Sequence, residues 1–221
     1  MQQSAGETTT PENRPLRVNG PAPDFQLNTT QGPRTLADFA GKWLVLFSHQ
    51  SDFRPACATE FVGFANHYEA FQKLNCEVMA VSADSLGSHM AWLWNLKEKF
   101  NTTIPFPFAA DPSRKTINAY NMMAQVGPGQ FSPGRATFII DEQSVLRAML
   151  YYPVPVARSV AEILRIVSAL QVNQAHSVAT PEGWQPGDKV LMPPPPTLAD
   201  AEARLQAGGE CVDWYFCKKQ I

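Results

Sequence analysis

Cys57 stands where a cysteine can react. It follows the apolar run Trp43-Leu44-Val45-Leu46-Phe47 and the loop Ser48-His49-Gln50-Ser51-Asp52-Phe53-Arg54-Pro55, and it falls in the first turn of a long amphipathic stretch. A first helical turn presents unpaired backbone N–H groups and the positive end of the helix dipole, and both favour a thiolate. Arg54 and His49 add two cationic candidates to the same loop. Most free cysteines are small buried apolar side chains. A cysteine after a buried strand, at a helix start and beside cations instead reads as a nucleophile.

Cys211 and Cys217 form a second group, six positions apart around Val212-Asp213-Trp214-Tyr215-Phe216. That spacing is not a zinc pattern, which needs two close pairs or mixed Cys/His sets. Two cysteines on a mobile tail suit attack on an oxidised sulfur elsewhere, and packing among the aromatic residues is the alternative. Cys76 opens an apolar strand and reads as core. Arg135 enters the apolar run 136–140, so its charge either lies at a solvent edge or is aimed into a site. Glu60 stands one turn after Cys57, where it would pair with an arginine or lie on the surface. The histidines at 49, 67, 89 and 176 show no metal spacing, and neither a metal nor a cofactor is expected.

These residues need elements to hold them. The run 43–47 reads as a strand buried on both faces. Residues 56–72 place Phe61, Phe64, Ala65, Tyr68 and Phe71 on one helical face. A strand follows over 77–81, and a helix over 89–100 carries Met90, Leu93, Trp94 and Lys97 at helical spacing. Pro105 and Pro107 hold a short extended piece at 104–108. Asp111-Pro112 opens a helix to about 120. Strands at 136–140 and 145–151 flank a hairpin turn, and a helix at 157–170 turns Val160, Ile163, Leu164 and Val167 inward. The order β-α-β-α-β-α-β-β-α predicts an α/β fold, a central mixed sheet covered by helices. Three regions are expected: a flexible arm over 1–20, a body over 21–171 and an extended C-terminal arm over 172–221. That last arm is rich in Pro and Gly, with a short helix at 198–207 stopped by Gly208-Gly209 and aromatics that dock on the body or on another subunit.

Composition narrows the class. The 221 residues are 44% hydrophobic and 17% charged, which suffices for a real core and excludes wholesale disorder. The net charge of −2 supplies no bulk attraction to nucleic acid or to a membrane surface. No apolar run is long enough for a transmembrane helix, and the polar N-terminus has no secretory h-region. Four cysteines in a chain of this length do not make a disulfide scaffold, so a reduced, cytoplasmic setting is expected.

The loop HQSDFRPACATEF, the later SPGRATFIID, the stretches TPEGWQPGD and VLMPPPPTLADAEAR, and the closing CVDWYFC together resemble a peroxiredoxin. The likeness is to the one-cysteine subfamily in its bacterial and archaeal form, and it spans about residues 21 to 217. It implies a thioredoxin-like fold, a C-terminal dimerisation arm, a homodimer and a higher ring-shaped oligomer. It also implies reduction of hydrogen peroxide or organic hydroperoxides through a cysteine sulfenic acid, with an external thiol as reductant. By position, Cys57 matches the peroxidatic cysteine and Arg135 the arginine that holds it as thiolate. Glu60, His49 and Pro55 also match, and Cys217 with Cys211 matches tail cysteines that resolve the sulfenate across a subunit interface. Two positions depart from the family pattern. Gln50 stands where it has Pro, and Arg54 where it has Thr or Ser. The family hydroxyl accepts a hydrogen bond from the peroxide; arginine has donors only. The departures imply slower turnover or altered substrate choice, and they leave open a thiolate recruited to other chemistry on an anionic substrate, or a redox sensor.

Overall fold

A computed structural model describes residues 15–221. Most of the arm expected over 1–20 lies outside the described residues. Chain contacts divide the protein into two units, the first ending at Arg158 and the second spanning Ser159–Ile221.

The first unit is built on a seven-stranded mixed sheet of order β2-β1-β5-β4-β3-β8-β9. Its strands are β1 (Gln26–Thr29), β2 (Gly32–Thr35), β3 (Trp43–Ser48), β4 (Cys76–Ser82), β5 (Phe108–Ala110), β8 (Arg135–Ile140) and β9 (Leu146–Tyr152). A separate hairpin joins β6 (Met123–Gly127) and β7 (Gln130–Pro133). The helices are α1 (Pro55–Lys73), α2 (Leu86–Phe100) and α3 (Lys115–Ala119). β3 and β4 pair in parallel, and β3 and β8 antiparallel. The central mixed sheet flanked by helices is therefore as the sequence predicts.

Alternation along β3 explains its unbroken apolar run. Leu44 and Leu46 join a core with Phe25, Met79, Val81, Phe138 and Ile140. Phe47 points the other way and stacks on Phe64 of α1 at 4.2 Å between ring centres. The aromatic layer continues through Phe61, Phe106, Phe108 and Trp92. Both faces are covered, so alternation never reaches polar residues. α1 turns Cys57, Glu60, Phe61, Phe64 and Phe71 inward.

Several expectations are corrected. α2 buries His89, Trp92 and Leu96, while Met90 and Trp94 are exposed. The extended piece at 104–108 begins pairing only at Phe108, because Pro105 and Pro107 have no N–H to give a ladder. The hairpins β1–β2 and β6–β7 were not expected. Their strands have four or five residues, and all but β1 include Gly or Pro, so alternation never accumulates.

In the second unit α4 (Val160–His176) runs past residue 170 and ends on Ser177 in the left-handed region, φ 49°. The segment after it is not a plain extended tether. Val178, Trp184 and Val190 form a small core, and the Trp184 indole donates to Asp188 O at 3.0 Å. After α5 (Leu198–Gln206), the tail folds back as β11 (Glu210–Asp213) and β12 (Phe216–Lys219), joined to β10 (Val190–Leu191) in the order β10-β12-β11. Trp214 and Tyr215 stand in its turn, 41% and 56% exposed. Among the described residues no helix is long and apolar enough to cross a membrane.

Candidate functional site

Cys57 is the third residue of α1, after Pro55 at the first position and Arg54 as N-cap in extended backbone. Pro at that point needs no donor, since the first-turn N–H groups have no helical partner anyway. The Cys57 side chain is fully buried, and Arg135 Nη1 lies 3.4 Å from its Sγ. Arg135 enters at the first residue of β8 and is itself buried. Its Nε donates to Val154 O at 2.6 Å and its Nη1 to Glu60 Oε2 at 2.6 Å.

Glu60 holds the arrangement together. It is three residues after Cys57, a separation that puts both on one face of a helix. Its Oε1 accepts from the Arg158 backbone N–H at 2.8 Å and from Arg158 Nε at 2.9 Å. Its Oε2 accepts from Arg158 Nη2 at 2.8 Å as well as from Arg135. Four donors fill the carboxylate's capacity. Arg158 also donates to Ala136 O at 3.0 Å, and its guanidinium lies 4.9 Å over the Phe47 ring. Two guanidiniums and one carboxylate leave one positive charge in a dry place, and such a charge is costly unless paired. The sulfur of Cys57, in contact with Arg135 Nη1, is the place where a balancing negative charge would sit.

Sequence reasoning missed Arg158. No motif marks it, but a cation just before the N-cap Ser159 works against the dipole of α4, which is a usable signal.

The other candidates separate. Arg54 is exposed, and its Nε donates to Ser51 Oγ at 3.1 Å, so the cation on the sulfur is Arg135. Pro55 is exposed and Gln50 half-buried. His49 is corrected. It is fully buried, stacked on Trp92 at 5.2 Å and edge-on to Phe61. Burial, then the charges of His89, Arg158 and Arg135, holds its imidazole well below the usual 6.5. His49 is thus neutral and gives Cys57 no positive charge. Cys76 is core as expected; burial, with the Glu77 charge, pushes its thiol far up. Cys211 and Cys217 face each other across the hairpin and are joined in a disulfide, with Cys217 buried. The freely mobile tail inferred from the sequence is replaced by this closed hairpin.

His49, Asp52 and Asp84 bring their ligand atoms within 4.8 Å of one another, a grouping that sequence spacing did not reveal. Protein donors already use these carboxylates: Asp52 Oδ2 meets His89, and Asp84 Oδ2 accepts from Asp52 N–H and Ser82 Oγ. Asp52 and Asp84 thus anchor the loop ahead of Cys57 by hydrogen bonds, whereas Asp52 Oδ1 and both His49 ring nitrogens have no hydrogen-bond partner.

Comparison with known proteins agrees with this geometry. Residues 18–149 match the AhpC/TSA family, and residues 169–208 match the C-terminal domain of 1-Cys peroxiredoxin. A peroxiredoxin of Aquifex aeolicus is 46% identical over 216 residues, covering 93% of this chain and 97% of the relative. Peroxiredoxin 2 of Caldanaerobacter subterraneus is 41% identical, covering 97% and 100%. Among solved structures, the yeast mitochondrial 1-Cys peroxiredoxin superposes with a TM-score of 0.82 at 32% identity, covering 93% and 100%. A buried cysteine at a helix start, a guanidinium on its sulfur and these matches place the chain in the peroxiredoxin family. It has the thioredoxin-like fold of that family and is a thiol-dependent peroxidase.

The neutral state of His49 has a consequence for stability. The unfolded chain binds a proton at this residue below about pH 6.5, whereas the folded chain resists it. Stability therefore rises with pH through this window and falls on acidification, with a slope approaching about 1.4 kcal/mol per pH unit for this one proton. His49→Phe keeps the ring stack and removes that proton. Urea unfolding across the window should show a pH slope shallower in the variant by about that amount; equal slopes would mean His49 does not carry the effect.

Proposed function

We propose that Cys57 attacks the O–O bond of hydrogen peroxide or an organic hydroperoxide as a thiolate. The step leaves a Cys57 sulfenic acid and releases water or an alcohol. The observation that carries this reading is the 3.4 Å contact between Cys57 Sγ and Arg135 Nη1 in a buried group that lacks one negative charge. Cys217 then displaces the sulfenic oxygen as water, forming a Cys57–Cys217 disulfide. Cys211 attacks that bond at Cys217, freeing Cys57 and closing Cys211–Cys217. An external thiol reductant opens the tail disulfide and ends the cycle. The cross-strand pairing of Cys211 with Cys217 supports this order, since the two sulfurs bond within one hairpin.

The segment from residue 172 on acts as a dimerisation arm, and the working form is a homodimer that builds a larger ring in the cytoplasm. Leu198, Val212 and Tyr215, exposed by 77%, 83% and 56%, offer the apolar surface a second copy would cover. Arg54, Gln50, Pro55, Glu60 and His49 shape the approach to Cys57, Glu60 by holding Arg135 and His49 by supporting the loop.

Two experiments test the reading. Under peroxide, Cys57→Ser should be inactive. Cys217→Ser should accumulate a sulfenic acid at Cys57 that dimedone traps, and Cys211→Ser should stall as a covalent Cys57–Cys217 species on non-reducing gels. Unchanged turnover in both tail variants would remove Cys211 and Cys217 from the cycle. The second concerns Arg54. Its side chain faces Ser51, so losing its charge costs Cys57 little, whereas Thr would supply the hydrogen-bond acceptor that arginine lacks. Arg54→Thr should raise the second-order rate of Cys57 oxidation by about ten- to a hundredfold, about 1.4–2.8 kcal/mol of barrier. An equal or lower rate would show that Arg54 serves the site as it stands.

A further inference from the structure

The tail disulfide presents its two sulfurs unequally. Cys211 lies on β11, at the edge of the three-stranded sheet, and Cys217 lies on β12, its central strand. The two residues are register partners, so the S–S bond crosses from the edge strand to the central one. On the far side of β12 stands β10, with Leu191 opposite Lys218 and Val190 opposite Lys219. Just past it, the Met192 N–H donates to Cys217 O at 2.9 Å. Beyond β10 comes one more piece of backbone, where Ala179 and Leu191 exchange hydrogen bonds of 3.0 and 2.7 Å. Alternation puts Cys217 and Lys219 on one face of β12. The residue across from Lys219 on that face is Val190, fully buried in the small core with Val178 and Trp184. Cys217 is 1% exposed, whereas Cys211 is only half-buried. Among the described residues no strand pairs with the outer edge of β11.

Thiol–disulfide exchange turns this asymmetry into a direction. A thiolate attacks a disulfide in line, with the incoming, attacked and leaving sulfurs near one axis, and access decides which sulfur is attacked. Attack on Cys217 has to come along the line that runs from Cys211 across β12, over β10 and the core to which Val190 belongs. Attack on Cys211 comes from the opposite end of that line, past the free edge of β11. The acidic neighbour there, Glu210, does not repel an incoming thiolate unopposed. Lys189 pairs with it, and that hydrogen bond, with the charges of Lys189 and Lys218, holds its carboxyl below the usual range. At the leaving end, Asp213 O lies 3.5 Å from Cys217 Sγ, ready to accept from the thiol once Cys217 is released and protonated.

We propose that the external reductant enters at Cys211 and that Cys217 is the leaving group. An external thiolate bonds to Cys211 Sγ as the tail S–S bond breaks, and the bonding pair leaves on Cys217, which takes up a proton. A second thiolate, from the same dithiol or from another monothiol, then displaces the first from Cys211. The reductant departs as a disulfide, having given up two electrons, and Cys211 takes up the other proton. The first exchange therefore already frees Cys217, the thiol that the proposed cycle sends to the Cys57 sulfenic acid, while Cys211 stays blocked until the second. The inference rests on that cycle, in which the tail disulfide is the last oxidised state.

Glutathione, a monothiol, reads the point of entry on the full chain. The oxidised Cys57→Ser variant, which lacks the one thiol able to compete, is mixed with glutathione near neutral pH. It is quenched with N-ethylmaleimide at a series of early times and digested without reductant. Mass spectrometry then counts chains with glutathione on Cys211 and maleimide on Cys217 against the reverse. Extrapolation to zero time removes later transfer of glutathione between the two. The same chain in urea is the reference, with both sulfurs open to solvent. Relative to that reference, folded chains should carry glutathione on Cys211 in excess over Cys217 by about tenfold or more, because access is what differs. A folded ratio equal to the unfolded one, or one favouring Cys217, would overturn the proposal. No peroxide enters this measurement, so the two readings fail separately. Unchanged turnover in both tail variants would remove the tail from the cycle, whereas glutathione on Cys217 would leave the cycle standing and reverse only its reducing step.

Discussion

A buried carboxylate with two guanidiniums on it needs one more negative charge. Glu60 accepts from Arg135 and from Arg158, and its four hydrogen bonds leave it no further capacity. The excess positive charge belongs to Arg135, whose Nη1 reaches both Glu60 and Cys57 Sγ. Desolvation makes an uncompensated charge expensive, and a negative charge on the Cys57 sulfur would remove the imbalance. The chemistry of the sulfur and the integrity of the core beneath it are therefore one electrostatic problem. Arg158 shows the same economy, since it also caps Ala136 O and lies over Phe47, tying the ion group to the sheet and to the aromatic layer.

The fold supplies that group from places far apart in the chain. Cys57 and Glu60 come from the first turns of α1, Arg135 from the start of β8 and Arg158 from just before α4. β3 lies between β4 and β8 in the sheet, so the loop leaving its end carries α1 over the point where β8 begins. Ser48, the last residue of β3, fixes this corner: its hydroxyl donates to Gly134 O and accepts from the Ala136 N–H. A displaced β8 would carry Arg135 away from the sulfur. The site depends on strand register as much as on its own side chains.

The sequence displayed much of this, for identifiable reasons. A continuous apolar run can only be a strand covered on both faces, and the spacing from Phe61 to Phe71 can only serve a helix. Cys57 and Glu60 three apart on that helix were legible as neighbours. Read from spacing alone, Arg135 was a charge entering a buried strand; only the family resemblance set it beside Cys57, and its bond to Glu60 had to come from the fold. Arg158 was hidden because its role depends on three-dimensional proximity to Glu60, 98 positions away. His49 was misread as a cation, because sequence shows the residue type and not the ring stack that keeps it neutral. On α2 the pattern of Met90 and Trp94 drew attention to the wrong face, although His89, Trp92 and Leu96 follow the same helical spacing inward. The tail hairpin escaped notice since each strand has only four residues.

The most direct test of the electrostatic account is the alkylation rate of Cys57 by iodoacetamide near neutral pH, in wild type and in Arg135→Met. Cys76 is no competitor, since burial keeps it a thiol, and the disulfide occupies Cys211 and Cys217. The variant leaves Glu60 paired with Arg158 through three donors, so the core ion group stays satisfied. The account predicts a rate lower by about tenfold or more, the effect of removing a cation in hydrogen-bond contact with a thiolate. An unchanged rate in a folded variant would contradict it, and would mean that something other than the Arg135 charge keeps Cys57 reactive.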